Sequence, residues 1–265
     1  MPVDIVICGA MGRMGRAIIE AARDDADIRV VGLVESSRHP RIREVIEING
    51  NRVTVSPGLT RHAGAVVVDF TTPETTATIV REAVVNGNPC VIGTTGLSTE
   101  QMRDLEHAAR RIPIVFSSNM SAGINILWKL AAEAARLLGD SADVEIIEAH
   151  HNRKKDAPSG TAVTMAIRIN EALGKNAKEG WIHGREGMPG ERPKGEVGIH
   201  SVRAGDIPGD HTVLFGMEGE RLELIHRAHD RTPLARGALL AARFAAKAGP
   251  GLHSMAEVLG MEGKM

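Results

Sequence analysis

The chain contains no tyrosine, only two tryptophans and four phenylalanines, and just two cysteines. So few rings leave almost nothing on which nucleobases could stack. A formal net charge of −1 supplies no long-range field to recruit nucleic acid or an anionic membrane. No nucleic-acid partner is therefore expected. No membrane partner is expected either, because no segment approaches the roughly 20 apolar residues that a spanning helix needs. Cys8 and Cys90 each lie within an apolar run, where a thiol serves as a small hydrophobe, so neither a disulfide nor a metal site is expected. The start, MPVDIVICGAMG, has no basic leader and no long apolar stretch, and the expectation is a cytoplasmic, reducing setting.

What is present is an ordinary globular composition, 43% hydrophobic and 25% charged over 265 residues, a length that fits about two domains. In the first half, short apolar runs alternate with helical patterns. VDIVICG, IRVVGLVE (28–35), AVVVDF (65–70), CVIGTTG (90–96) and IPIVFSS (112–118) read as strands buried on both faces. Between them, helical patterns run from Arg13 to about Arg23, from Pro73 to Asn86-Gly87, and onward from the capping box STEQ at 98–101. This alternation predicts a doubly wound parallel sheet.

The pattern changes after about residue 120. A helix INILWKLAAEAARLLG, a strand DVEIIEAHH and a helix from Pro158 to about Leu173 come first. A Gly- and Pro-rich stretch, 183–195, is expected to be a mobile loop. EVGIHSVRAG, HTVLFGM and RLELIHRAHD read as antiparallel strands, and an Ala-rich stretch, 234–249, returns to helix. The expected organisation is a dinucleotide-binding domain over 1–121, with 231–265 packing back onto it, and a second α/β domain over 122–230.

Two stretches carry chemistry. GAMGRMG places Gly9, Gly12 and Gly15 between a strand and a helix, where glycine lets the backbone turn tightly and approach a pyrophosphate at the helix N-terminus. The spacing is GxxGxxG rather than GxGxxG, and alone it would be weak. Glu35 at the end of the next strand strengthens it, standing where an acidic group accepts from a ribose diol. Arg13 and Arg16 in the first helical turn oppose the helix dipole and point to an anion nearby, although solvated surface arginines would look the same. GTTG (93–96) and SSNM (117–120) follow apolar strands and would line the same crevice at the strand carboxyl ends.

The second stretch is EAHHNRKKDAPSGTA, residues 148–162. Two imidazoles, His150 and His151, leave a strand, and Lys154 and Lys155 follow. Asp156 is placed to cap the next helix, with Pro158 in its first turn. Ser159, Gly160 and Thr161 then offer backbone N–H groups at a helix start, an anion cradle. Any one of these cations alone reads as part of a solvated loop. Together, before an open helix N-terminus, they read as a pocket that holds an anion and supplies protons.

On these residues the chain resembles the 4-hydroxy-tetrahydrodipicolinate reductase family, also called dihydrodipicolinate reductases, of lysine and diaminopimelate biosynthesis. GAMGRMGR, VVDFTTPE, GTTG, SSNMSAGIN, SVRAGDIPGDHTV and GERLELIHRA resemble the same family in the same order. The resemblance implies an α/β fold: a Rossmann-like doubly wound parallel sheet plus a central α/β domain with a mixed, largely antiparallel sheet that forms a homotetramer. It implies that Gly9, Ala10, Met11, Gly12, Arg13, Met14, Glu35, Gly93, Thr94, Thr95, Ser117, Ser118, Asn119 and Met120 contact NADH or NADPH. His150 and Lys154 match the family's proton donors, and His151, Gly160 and Thr161 match the groups that hold the carboxylates of a small cyclic dicarboxylate. The implied reaction delivers hydride to C4 of the cyclic imine, expels the hydroxyl as water and protonates the neighbouring carbon. No metal is implied.

One departure bears on the cofactor. Many members of the family carry Glu-Arg at the end of the second strand, whereas Glu35-Ser36-Ser37-Arg38 stands here. An arginine beside the acidic residue would pair with the 2′-phosphate of NADPH, so NADH is expected to serve at least as well. Two other readings stay open: another NAD(P)-dependent reductase of a small dicarboxylate, and a redox-sensing dinucleotide-binding protein without catalysis.

Overall fold

Alternate residues of the first strand bury on opposite faces, and much of the N-terminal architecture follows from that. In the computed structural model, which describes residues 1–59, 62 and 64–261, Ile5 and Ile7 of β1 (Val3–Cys8) join one apolar cluster while Val6 and Cys8 join another. A strand buried on both faces needs helices on both. The first cluster is closed by α1 (Arg13–Arg23) and α6 (Thr232–Ala245), the second by α2 (Pro73–Asn86) and α3 (Thr99–Ala109). Between them lie β2 (Ile28–Val34), β3 (Val45–Ile48), β4 (Asn51–Ser56), β5 (Val66–Asp69), β6 (Cys90–Ile92) and β7 (Pro113–Phe116), with β13 (Gly251–His253) and α7 (Met255–Val258) at the C-terminal end. The strand order is β13-β7-β6-β5-β1-β2-β4-β3, and every pairing is parallel except β3 with β4. Cys8 and Cys90 are free and buried, and burial pushes both thiols up.

The chain separates into two units, Met1–Ala122 with Arg231–Met265, and Gly123–Asp230; residues 262–265 lie outside those described. The returning segment can lie close to the sheet because it is small. A Cβ on Gly237 of α6 would stand 1.8 Å from the Met120 carbonyl oxygen. The β3–β4 hairpin lies outside the expected elements, although its signal is present in the sequence. Asn49 and Gly50 join the strands with φ of 51° and 75°, the mirror-image turn that Asn-Gly favours.

The second unit carries α4 (Ala122–Leu138), β8 (Asp143–His150), α5 (Gly160–Ala172), β9 (Trp181–Ile182), β10 (Val197–Arg203), β11 (Asp210–Met217) and β12 (Glu220–Arg227). Its sheet order is β12-β11-β8-β10-β9. One sheet face, including Val144, Ile146, Val213 and Phe215, packs with Trp128 and Ala131 of α4 and Met165 and Ile169 of α5. On the strand positions of the opposite face, Ile147, Val202 and Ile225 are exposed.

Three local expectations change. First, β10 runs parallel to β8, not antiparallel, because the long connection from β8 through α5 returns it in the same direction. Second, α5 starts at Gly160 with Ser159 as its cap, the Ser159 hydroxyl accepting from Ala162 N–H, while Pro158 precedes the cap. Asp156 does not cap the helix; it pairs with Lys154. Third, the 183–195 stretch has no regular structure but is anchored. Arg185 reaches Glu145 and Glu196, and Arg192 reaches Asp143 and Glu145. Among the described residues no helix is long and apolar enough to cross a membrane.

Candidate active site

In the first unit, parallel strands deliver their carboxyl ends to one edge, as ligand crevices of such sheets require. After β1 the chain turns at Gly9, whose φ of +70° favours glycine. Gly15 is demanded by packing, since a Cβ there would lie 2.3 Å from the Gly9 carbonyl oxygen. Gly12 caps α1 with no side-chain hydrogen bond, so the first N–H groups of that helix are not covered by a capping side chain. Glu35 reaches this turn: its Oε2 accepts from Met11 N–H at 3.0 Å, and its Oε1 from Ser36 N–H at 2.9 Å. Arg16 is not a loose cation. Its Nε donates to the Met11 carbonyl at 2.9 Å and braces the turn.

The neighbouring loops belong to the same edge. Gly93 follows β6, and a Cβ there would drive into the Phe70 ring at 2.0 Å. Thr94 is buried and Thr95 exposed. Beyond β7, the Ser117 hydroxyl donates to the Asn119 carbonyl at 2.7 Å, Ser118 is exposed, and Met120 is buried beneath α6. Asp69, wholly buried at the end of β5, ties these loops together. It accepts from Thr71 Oγ1 at 2.7 Å, Thr76 Oγ1 at 2.5 Å and Thr94 Oγ1 at 3.4 Å. Burial raises its pKa, and the hydroxyls only partly offset that. Arg231 precedes α6, and its pKa is lowered by burial and by the nearby charge of Arg13. Two guanidinium groups so placed favour an anion. The site thus offers an open helix start, an acidic group at the turn and a cationic pair, a donor set that fits a dinucleotide.

In the second unit the proposed chemical residues gather around Glu148, which is fully buried on β8. Strand register sets Ser201 of β10 and His211 of β11 directly beside it. Glu148 Oε2 binds His150 Nδ1 at 2.6 Å and accepts from Arg203 at 2.8 Å; Oε1 accepts from Arg203 at 2.7 Å and from Ser159 N–H at 3.1 Å. Burial opposes its ionisation, but hydrogen bonds from His150, Arg203 and Ser201 win and hold the carboxyl well below the usual range. His211 Nε2 lies 3.1 Å from Ser159 Oγ, and its ring meets His150 edge-on at 5.3 Å. Burial pushes His211 down to about 3, with the charge of His150 adding to it, so His211 stays neutral.

Lys154 Nζ sits 2.8 and 2.9 Å from the Asp156 carboxylate oxygens. The Asp156 carbonyl in turn accepts from Arg203 at 2.7 Å. His151 continues from β8, its N–H donating to the Ile207 carbonyl. At the start of α5, a Cβ on Gly160 would meet nothing within 4 Å, and the Thr161 carbonyl accepts from Trp128 Nε1 at 3.0 Å. His150, Lys154 and the Gly160–Thr161 helix start therefore share one hydrogen-bonded cluster. Of the cations in this stretch Lys154 is matched by Asp156, while Glu148 matches Arg203 of β10.

Sequence reasoning missed Glu148, Arg203, His211, Arg231 and the contact between Ser159 and His211. One signal was available for Glu148. It occupies a core position of an alternating strand, after Val144 and Ile146, where a carboxylate calls for buried partners. Among the described residues no group of metal-ligating side chains forms a metal site.

The comparisons with known proteins bear on both units. Residues 3–120 match the family model "Dihydrodipicolinate reductase, N-terminus", and residues 123–259 match "Dihydrodipicolinate reductase, C-terminus". A 4-hydroxy-tetrahydrodipicolinate reductase of Syntrophus aciditrophicus is 43% identical, the match covering 96% of this chain and 97% of the relative. One from Syntrophobacter fumaroxidans is 44% identical over 98% of this chain and 100% of the relative. Among solved structures, a dipicolinate-bound dihydrodipicolinate reductase from Paenisporosarcina sp. TG-14 superimposes with a TM-score of 0.76 at 25% identity, covering 97% of this chain and 99% of that one. The chain belongs to the dihydrodipicolinate reductase family.

Proposed function

We propose that this chain reduces 4-hydroxy-tetrahydrodipicolinate to tetrahydrodipicolinate in lysine and diaminopimelate biosynthesis, with NADH or NADPH as reductant. The observation that carries the reading is the cluster that links His150, Lys154 and the α5 start through Glu148, Arg203 and Asp156. A cyclic substrate with two carboxylates and a carbon that must be protonated calls for cations, backbone donors and a proton source together. When bound, the cofactor supplies the hydride.

The residues divide the remaining work. Gly9 to Met14, Glu35, Gly93 to Thr95 and Ser117 to Met120 would hold the dinucleotide, with Glu35 on the ribose diol and the α1 start on the phosphates. Gly160 and Thr161 would hold a substrate carboxylate, aided by His151. That carboxylate would compete with Asp156 for Lys154, the side chain proposed to donate a proton. Ser36 supplies no cation beside Glu35, whose carboxylate already engages the glycine turn. NADH should therefore match or exceed NADPH in kcat/KM at equal ionic strength.

The setting proposed is cytoplasmic and the assembly a homotetramer. The exposed Ile147, Val202 and Ile225 on the open face of the second sheet support self-association. The test of activity is oxidation of NADH followed at 340 nm with freshly generated substrate, with pyridine-2,6-dicarboxylate as competitor. Loss of absorbance that depends on substrate and yields to the competitor is expected; no turnover with either cofactor would overturn the reading in favour of a sensor.

A further inference from the structure

Glu148 does no chemistry in the reaction proposed above, yet donors from two strands and the cap of α5 converge on it. We propose that Glu148 is the positioning residue of this site: it sets which nitrogen of His150 carries the hydrogen, and it fixes that imidazole relative to the helix start that cradles the substrate. The inference rests on the assignment of His150 as a proton donor.

The ionised Glu148 carboxylate can only accept hydrogen bonds, so the 2.6 Å contact requires a hydrogen on His150 Nδ1. The nitrogen left to exchange a proton is Nε2. That edge lies beside Gly209, where a Cβ would come within 3.1 Å of Nε2; a glycine there keeps the edge clear. His211 supports the ring edge-on without adding a charge of its own.

The two oxygens then act as a spacer. Oε2 holds the imidazole and Oε1 holds the N–H of Ser159, the residue whose hydroxyl caps α5. Arg203 bridges both oxygens, which locks the carboxylate plane, and its second terminal nitrogen also reaches the Asp156 carbonyl beside the Lys154 ion pair. One planar group therefore relates the first proton donor to the carboxylate cradle and, through Arg203, to the second donor. A buried ion pair serving only the fold would need no donor from His150.

Glu148→Gln is the informative substitution. Its amide oxygen can keep Ser159 N–H and one arm of Arg203, which leaves the amide N–H₂ facing His150 Nδ1. A donor now meets a donor, so His150 should move its hydrogen to Nε2. Nitrogen-15 spectra of histidine-labelled full-length protein read this tautomer directly, at a pH where the ring is neutral. Nδ1–H is expected in the wild type and Nε2–H in Glu148→Gln. In kinetics, kcat should fall on the order of 10²-fold with much smaller changes in NADH and pyridine-2,6-dicarboxylate affinity. In a His150→Ala background the same substitution should lower kcat by less than about 2-fold more, because the two residues act as a unit.

An Nε2–H tautomer in the wild type, an unchanged tautomer in Glu148→Gln, or a full further loss in the His150→Ala background would overturn the inference. The wild-type spectrum requires no variant, so it decides the tautomer even where Glu148→Gln fails to fold. A fully active His150→Ala enzyme would instead remove the proton-donor assignment, and the spectra would still judge the tautomer by themselves.

Discussion

Among the described residues each unit buries one carboxylate in the last part of a strand, and the two are satisfied in opposite ways. Asp69 in the first unit is surrounded by threonine hydroxyls and a backbone N–H, all neutral, and burial raises its pKa. Glu148 in the second unit faces a guanidinium and an imidazole, and its pKa falls despite burial. Neutral donors can tie loops together without placing charge beside the phosphates those loops would hold. Charged donors keep an acceptor ionised beside the proposed proton donors. The same residue chemistry thus gives a fastener in one half and an electrostatic frame in the other.

The largest break in this comparison should come from Glu148→Leu. Removing one partner of a buried pair leaves Arg203 uncompensated, and the loss should be about 3 kcal/mol in the second unit, read as a fall in its calorimetric Tm. The next effect concerns pH. Glu148, with its pKa lowered in the fold, contributes stability above the ordinary carboxylate range that is lost as pH falls. His211, held neutral with a pKa near 3, adds to this: as pH drops from about 6.5 towards that value, the unfolded state takes up a proton that the fold refuses. Asp69 has the reverse sign, its raised pKa favouring the fold at low pH. Acidification from pH 7 to 4 should therefore lower the Tm of the second unit first, and His211→Gln should blunt that fall. A first unit that melts earlier would contradict the assignment.

Smaller effects sharpen the contrast. Gly160→Val should fold, since nothing lies within 4 Å of the added Cβ, yet it should raise KM for substrate by about 10-fold, roughly 1.4 kcal/mol of lost binding. NADH affinity should stay nearly intact in a titration of the same variant. Asp69→Asn should be the mildest, within about 1 kcal/mol, because hydroxyls can accept from an amide as readily as they donate to a carboxylate.

Much of the first unit was legible in the sequence because its signals are local. Apolar runs such as VDIVICG, the capping box at Ser98 and the glycine turn each act over a few residues, and the structure reproduces them as β1, the start of α3 and the α1 entry. The Asn49-Gly50 hairpin was equally local and was passed over. The second unit was legible in its motif but not in its wiring. Arg203 meets Glu148 across 55 positions and Ser159 meets His211 across 52, and no periodicity reports a partner so distant. The direction of β10 was missed for the same reason, since strand direction depends on the connection and not on the strand's own pattern. Asp156 misled because a helix cap and an ion-pair partner look alike in sequence; Ser159, three residues later, took the cap.

The roles proposed for His150 and Lys154 require specific proton donors in the second unit and not a diffuse basic patch. Lys154 and Lys155 are adjacent, but Lys154 is drawn into the network by Asp156 while Lys155 is exposed. The most direct measurement compares single-turnover reduction rates of Lys154→Met and Lys155→Met at saturating NADH. A fall on the order of 10²–10⁴ is expected for the first, with most activity retained by the second and NADH affinity unchanged in both. Equal losses in the two variants would contradict the proton-donor role of Lys154.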